Sequence, residues 1–226
     1  RRHHIWSWTM ANNEQLAAAR KGAQALNKWR LENPGIALDL RDAELNGADL
    51  EGADLSNSDL RGVSLVGANL CKADVSESNL SIADLSGANL AELVGVMTNF
   101  RGTHFTGANL SGAQISGSDF VSAQMNEANL QNAALFSSNL KWTELAGANV
   151  TGKHFGRSSM ADCDLSQTIG LDGVVHHMYS SIGTDTLLHS LKNADAAARP
   201  AILSFFRSTI EPELVEELEV LLSNYG

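Results

Sequence analysis

Residues 40–70 read LRDAELNGADLEGADLSNSDLRGVSLVGANL, with a leucine at every fifth position. The same period continues to Leu165, and of the 26 positions in this register only Gly95 is not apolar. We refer to these positions as centres. Most centres have a small residue two places before them, and eleven have a glycine two places after them. No insertion interrupts the run, so a unit of five residues dominates the chain.

A period of five fits neither an α-helix nor a flat strand. Five residues of a helix turn through about 500°, so the centres would form no apolar stripe. On a strand, each step of five changes the face on which the side chain lies. A chain that bends after every unit solves both problems, because every centre then points to the axis of a coil and glycine occupies the turn. Such coils stack through parallel backbone hydrogen bonds, although the period alone leaves the number of sides open.

The tandem A-[DN]-L motif, as in Gly47-Ala48-Asp49-Leu50, resembles the pentapeptide repeat family. The resemblance implies an all-β solenoid, a right-handed quadrilateral parallel β-helix with four units per coil. Residues 36–168 would form about 6.5 coils, a rod roughly 30 Å tall at about 4.8 Å per coil. Residues twenty apart should then lie over one another. The asparagines at 69, 89, 109, 129 and 149 should form one hydrogen-bonded ladder.

Both ends of the chain depart from the repeat. Residues 1–11 are interpreted as a leader or vector-derived segment, and residues 12–35 as a capping helix that Asn12 and Gln15 begin. After Leu165 the period ends at Gly170, and residues 169–226 are predicted to be a connector followed by helices over 183–199, from Pro200 to Phe206 and from Pro212 onward. The two flanking segments resemble those of bacterial pentapeptide-repeat proteins that carry a TIR domain. No TIR domain is present in this sequence.

Composition narrows the classes of function. The 226 residues include 26 acidic and 16 basic ones, and the net charge of −10 argues against direct nucleic-acid binding. No stretch is long and apolar enough to span a membrane. The two cysteines, Cys71 and Cys163, would lie roughly 22 Å apart by strand spacing, too far for a disulfide. Free thiols favour a reducing compartment, and we expect a cytoplasmic protein.

The sequence offers no catalytic, cofactor or metal site. None of the common phosphate-binding, nucleophile or metal-ligand motifs occurs. Asp39, Asp49, Asp54 and Asp59 precede centres and are interpreted as turn-bonding residues of the repeat. His104 and His154 fall on different sides of a four-sided coil and cannot share a metal ion. We therefore predict a protein without enzymatic activity and without a cofactor.

Two sides of the coil differ in charge. One side carries Arg41, Arg61, Arg101 and Lys141 in a single column. Another side carries acids and no base: Glu44, Asp84, Glu127, Glu144 and Asp164. The family resemblance implies a possible DNA mimic that occupies the DNA-binding saddle of gyrase. Duplex DNA would present about 18 charges over roughly 30 Å, so five acids make a weak mimic.

Two apolar features each have two interpretations. Val94, Val96 and Met97 surround the broken centre at Gly95, and Phe136 should lie two coils further along the same side. This cluster is either a docking patch or the result of a bulge that turns these residues inward. The last predicted helix carries Leu214, Leu218, Leu221 and Leu222, which either cap the final coil or pair with a second chain as a homodimer.

The sequence therefore predicts a β-helical scaffold for protein–protein interaction, as the recognition or spacer part of a bacterial effector protein. An acidic DNA mimic that binds gyrase or topoisomerase, and so inhibits the enzyme or protects it from drugs, is the alternative. The identity of the protein partner is left open.

Overall fold

The computed structural model describes residues 12–176, 180–209 and 220. Two helices precede the coils, α1 (Asn13–Arg20) and α2 (Ala23–Glu32), and two follow them, α3 (Thr184–Asn193) and α4 (Arg199–Thr209), with one 3₁₀ turn at Leu171–Gly173. Between them the longer bridges form short strands: β1 (Leu38–Asp39), β2 (Ser58–Asp59), β3 (Val94–Val96), β4 (Gln114–Ser116), β5 (Ala134–Phe136), β6 (His154–Gly156), β7 (Ser159–Met160), β8 (Val175–His176) and β9 (Ser181–Ile182).

The coils repeat every twenty residues, as the sequence predicts. All pairings from Leu38↔Ser58 to Asn149↔Ile169 are parallel and join residues twenty apart. Since each unit has five residues, the coil has four sides. Leu50, Leu70 and Leu90 form one interior column and are at most 1% exposed. The chain is therefore a parallel β-solenoid of about seven turns, with its apolar core on the axis.

The corners explain the glycines. Two places after each centre from Leu40 to Met160 the backbone has positive φ, between 51° and 71°, and all eleven glycines of the pattern lie at such positions. At the first corner the Ala43 N–H donates to the Leu40 carbonyl at 3.1 Å, which closes a four-residue turn. A left-handed residue at the third position is the requirement of a type II turn, and glycine meets it without a steric penalty.

One corner of the coil carries a continuous column of buried hydroxyl groups. The Thr98 N–H donates to Ser118 Oγ at 3.0 Å in the next coil, and the Thr98 hydroxyl donates to the Val75 carbonyl at 2.9 Å. The column consists of Ser58, Ser78, Thr98, Ser118, Ser138 and Ser158, all buried. These contacts satisfy backbone groups inside the core, which otherwise destabilise it.

The first coil is closed by α1 and α2, where the sequence predicted a single helix. Asn12 begins α1 as expected and accepts from the Glu14 and Gln15 N–H groups. Gly22 has φ of 99°, which interrupts the helical backbone and separates the two helices. A Cβ at this position would lie 3.0 Å from the Asp49 carbonyl oxygen, so the position favours glycine. This break places the Ala23 N–H at 3.1 Å from that carbonyl.

Side-chain amides of both N-terminal helices pair with the open edge of the first coil. The Gln15 amide donates to the Ala37 carbonyl at 3.1 Å and accepts from the Asp39 N–H at 2.7 Å. Asn27 makes the same pair of bonds with the Gly52 carbonyl and the Asp54 N–H, at 3.0 and 2.8 Å. The helices therefore supply the hydrogen bonds of a missing coil and protect the edge from pairing with another chain.

At the other end the register lengthens before the helices begin. Phe155 pairs with His176 and Ser159 with Ser181, which are 21 and 22 residues apart. Helix α3 is shorter than the predicted 183–199, and Pro200 is the second residue of α4, which extends to Thr209. The Thr186 and Ser190 hydroxyls of α3 accept from the Cys163 and Leu165 N–H groups, and so replace the next coil.

Candidate protein-interaction surface

The basic column lies on one side of the coil, which we call the arginine side; its centres are Leu40, Leu60, Leu80, Phe100, Phe120, Leu140 and Met160. Arg41 contacts Asp39 and Asp59 at 2.6 and 3.5 Å, and Arg61 contacts Asp59 at 2.7 Å. Hydrogen bonds from Arg41 hold the pKa of Asp39 below its usual value, and hydrogen bonds from Arg61 do the same for Asp59. The lower two arginines are therefore neutralised within the coil.

The upper half of the column is more open. Arg101 contacts Asp119 at 3.0 Å; the arginine side chain is 53% exposed and the aspartate side chain 36%. The Lys141 ammonium lies 4.3 Å from the centre of the Trp142 ring, and the Trp142 indole N–H donates to Asp162 at 3.0 Å. Exposed ion pairs contribute little to stability, so these side chains are free to exchange partners.

The broken centre at Gly95 contains no bulge. Strand β3 keeps the twenty-residue register, with Gly95 opposite Ile115. A Cβ at Gly95 would meet Val75 Cγ2 at 3.4 Å and Ile115 Cγ1 at 3.6 Å, so the neighbouring coils already fill the interior here. The expectation that a bulge turns the flanking residues inward is therefore wrong.

The flanking side chains differ in exposure. Val96 and Met97 are 40% and 62% exposed, whereas Val94 is partly buried. Phe136 lies two coils beyond Val96 on the same side, as predicted, and is partly buried. Val96 and Met97 occupy one corner of the arginine side, because the next centre along the chain is Phe100.

The opposite corner of the arginine side carries an exposed apolar residue that was not predicted from the sequence. Ile82 is 70% exposed and has φ of 54°, a conformation that is strongly unfavourable for a β-branched residue. Gly62 and Gly102 occupy the same position one coil away on either side, and Ile82 packs 3.5 Å from the Cβ position of Gly102. The signal was present, since Ile82 stands where the repeat favours glycine.

The acidic side forms a shallow groove near the end of the rod. Trp142, Glu144, Asp162 and Asp164 are among the residues that line its volume of about 340 Å³. Burial raises the pKa of Asp164, but hydrogen bonds from the Ser166 N–H and from other neighbours outweigh it, so the net pKa is lowered. The Asp164 carboxylate is therefore ionised at neutral pH. The acidic residues of this side nevertheless lack the charge density of a DNA backbone.

The asparagine ladder is confirmed from Asn69 to Asn129, and the turn-bonding role of the four aspartates is confirmed. The Asn89 amide donates to Asn69 at 3.0 Å, and Asn109 and Asn129 continue the ladder at 3.1 and 3.2 Å. The carboxylates of Asp39, Asp49, Asp54 and Asp59 each accept the N–H two residues later. These groups hold turns and coils together.

Within the described ranges no three potential metal-ligating side chains come together. Cys163 is buried and Cys71 partly buried, and both are free thiols. No helix in the described part of the chain has the length and hydropathy to cross a membrane. Leu214, Leu218, Leu221 and Leu222 lie outside the described residues, so their role in capping or dimerisation stays a prediction. Helix α4 covers the last coil, with Ile202, Phe205 and Phe206 buried.

A four-sided parallel coil, with its polar groups engaged in turns and ladders, defines a β-solenoid protein. The pentapeptide repeat family model matches eight copies, in residues 39–76 and 98–132. These stretches are therefore similar to pentapeptide repeats, and proteins built from such repeats are generally structural or interaction proteins.

Solved structures of similar fold include several pentapeptide repeat proteins. HetL, involved in heterocyst differentiation regulation in the cyanobacterium Nostoc, is 24% identical, with 64% of this chain and 74% of that chain covered and a TM-score of 0.33. A protein of the Arabidopsis thaliana thylakoid lumen is 24% identical over 55% and 87% of the two chains, with a TM-score of 0.44. The fluoroquinolone resistance protein QnrB1 is 16% identical over 68% and 86%, with a TM-score of 0.41. No curated protein matches this sequence significantly.

Proposed function

We propose that this protein is a non-enzymatic scaffold whose arginine side binds a protein partner. The observation that carries the proposal is Ile82. A left-handed conformation costs an L-residue about 1–2 kcal/mol, and the exposed side chain of Ile82 recovers little of this by burial. Glycine stands at the same position in both adjacent coils and avoids the penalty. A strained and exposed apolar residue is typical of a binding surface.

The surroundings of Ile82 support the same interpretation. Met97 marks the other corner of the arginine side, and Trp142 lies three coils beyond Ile82 on the same corner; all three are at least 50% exposed. Between the corners lie Arg101 and Lys141, whose side chains contact Asp119 and Trp142. Aromatic residues, methionine and arginine are enriched where proteins bind each other.

Site-specific photo-crosslinking in the native cells tests this proposal. A photoreactive residue at Ile82 or Met97 should capture the same protein, and Ile82→Gly should reduce capture from the Met97 position. Thr106, which is exposed on the acidic side, is the matched control position. Equal capture from Thr106, or different proteins from Ile82 and Met97, would contradict a single binding side.

The role as recognition or spacer part of a bacterial effector is a finer proposal. Its support is the resemblance of residues 12–35 and 169–226 to segments that flank the repeats in TIR-containing proteins. The neighbouring coding sequence tests it, because an adjacent effector domain is expected. An unrelated neighbouring gene directly after Gly226 would contradict it.

A DNA mimic is the alternative function, supported by the base-free acidic side. Glu44, Asp84, Glu144 and Asp164 project from one column that spans roughly 29 Å, far fewer charges than duplex DNA presents over that length. A supercoiling assay separates the two proposals: the DNA mimic predicts a change in gyrase activity at stoichiometric protein, and the scaffold predicts none.

A further inference from the structure

Lys153 is a lysine in the core of the solenoid. It lies two places before the centre Phe155, facing inward, and its side chain is completely buried. The five coils beneath it have alanine or leucine at the equivalent position: Ala53, Ala73, Leu93, Ala113 and Ala133. Among the residues that the structure describes, the Lys153 Nζ has no hydrogen-bond partner. It is the only residue of a charged type among the buried residues of the described chain.

No carboxylate in the described part of the chain compensates the charge of this amine. The centre of the Phe155 ring lies 4.2 Å from Nζ. Cys163, in the same coil, is the titratable side chain that interacts with it, and burial raises the pKa of that thiol to about 11, so it is neutral. The face of one aromatic ring compensates only a part of the free energy that burying an ammonium group costs.

Within residues 171–176 and 180–209, the capping elements bury no carboxylate near it either. The buried residues of α3 are Thr186, Leu187 and Ser190, those of α4 are Ile202, Phe205, Phe206 and Thr209, and Leu171 comes from the 3₁₀ turn. The charged and titratable side chains of these elements are exposed: Asp172, Asp185, His189, Lys192, Arg199 and Arg207. Burial therefore lowers the pKa of Lys153 to about 7.

Lys153 lies where the C-terminal cap meets the coils. Its carbonyl accepts the Val175 N–H at 2.8 Å, so its backbone holds strand β8. The Phe155 ring beneath Nζ contacts Phe205 of α4, with 6.2 Å between ring centroids. Protonation of this amine therefore places a buried positive charge beside the packing contact between the last coils and α4.

We propose that Lys153 makes the C-terminal cap pH-responsive: binding a proton at its buried amine favours release of α3 and α4 from the last coils, while the middle coils stay closed. Opening of the cap lets water solvate the ammonium. The middle coils are unaffected because coils in a solenoid contact only their neighbours. The released edge would expose the Cys163 and Leu165 N–H groups, which α3 now satisfies.

The direction of the effect follows from proton binding. Between about pH 7 and pH 10.5 the closed cap has a neutral Lys153 and the open cap a charged one, so the open form binds more protons. The cap is therefore tightest at alkaline pH and loosens as the pH falls towards 7. Below about pH 6 both forms are protonated and no further change is expected. From pH 9 to pH 6.5 the open fraction should rise on the order of fiftyfold.

Amide hydrogen exchange, corrected for the intrinsic pH dependence of exchange, tests the proposal. In the wild type, exchange of α3 and α4 amides should rise on the order of fiftyfold between pH 9 and pH 6.5, while amides of residues 80–130 should not change. Lys153→Met should abolish the response, and Lys153→Leu is the second variant should the first not fold. Lys72→Met, at an exposed lysine outside the core, should keep it. Exchange of the cap amides that does not depend on pH in the wild type, or the same pH response in Lys153→Met, would overturn the proposal. An NMR titration that gives the Lys153 amine a pKa near 10.5 would also overturn it.

Discussion

Leu110→Asp tests the inward assignment of the centres. Leu110 is fully buried between Leu90 and Leu130 of the adjacent coils. The substitution loses about 1.5–3 kcal/mol of apolar burial and places a carboxylate where no donor is available, at a further cost of several kcal/mol. The sum is comparable to the whole stability of a typical domain, about 5–15 kcal/mol. We expect Leu110→Asp to abolish cooperative folding of the coils.

Two comparison variants make the result specific. Leu110→Ala removes the same side chain without adding charge, and should destabilise by about 3 kcal/mol while the fold persists. Ser111→Asp adds the same carboxylate one residue later, at a partly exposed outward position, and should change stability by less than about 0.5 kcal/mol. Urea denaturation followed by circular dichroism measures all three. Equal damage from Leu110→Asp and Ser111→Asp would refute the inward and outward assignment.

Two further predictions concern the turns and the N-terminal edge. Gly170→Ala should destabilise more than Gly107→Ala in thermal unfolding, because a Cβ at Gly170 would meet backbone atoms at 2.9 and 3.0 Å while that at Gly107 meets nothing within 4 Å; equal losses would contradict this. Burial raises the pKa of Asp54, but hydrogen bonds from Ser56 and the charge of Arg30 outweigh it, so the net pKa is lowered. The ionised carboxylate therefore contributes to the free energy of unfolding above about pH 4, and this contribution is lost as the pH falls through the lowered pKa. Asp54→Asn should reduce the loss of stability at acidic pH in urea denaturation, and an unchanged loss would contradict the assignment.

The coil could be predicted from sequence because its determinants are local and repeated. Each unit contributes one centre, one small residue and one turn. With 25 apolar centres in one register, few folds other than a coil could bury all of them. The outward position of Met97 follows from the same register. The exposure of Ile82 could have been inferred as well, since it replaces glycine in the pattern.

The ends could not be predicted as well, because they depend on contacts that do not repeat. In the sequence, Gly22 is compatible with one continuous helix. The break at Gly22 is tied to the Asp49 carbonyl of the coil, which accepts the Ala23 N–H. Within the coils, the missing side chain at Gly95 suggested a bulge, but the side chains of Val75 and Ile115 in the adjacent coils fill the space. The isolation of the Lys153 amine likewise depends on α4, whose position no local pattern specifies.

Disulfide trapping measures the stacking of the coils most directly. In a protein with Cys71 and Cys163 replaced by serine, cysteines at Ser111 and Gln131 should form a disulfide on mild oxidation, because one coil separates their Cα atoms by about 4.8 Å. Cysteines at Ser111 and Asn126, fifteen residues apart, should stay reduced. A disulfide between 111 and 126, with none between 111 and 131, would contradict the four-sided coil and the binding side derived from it.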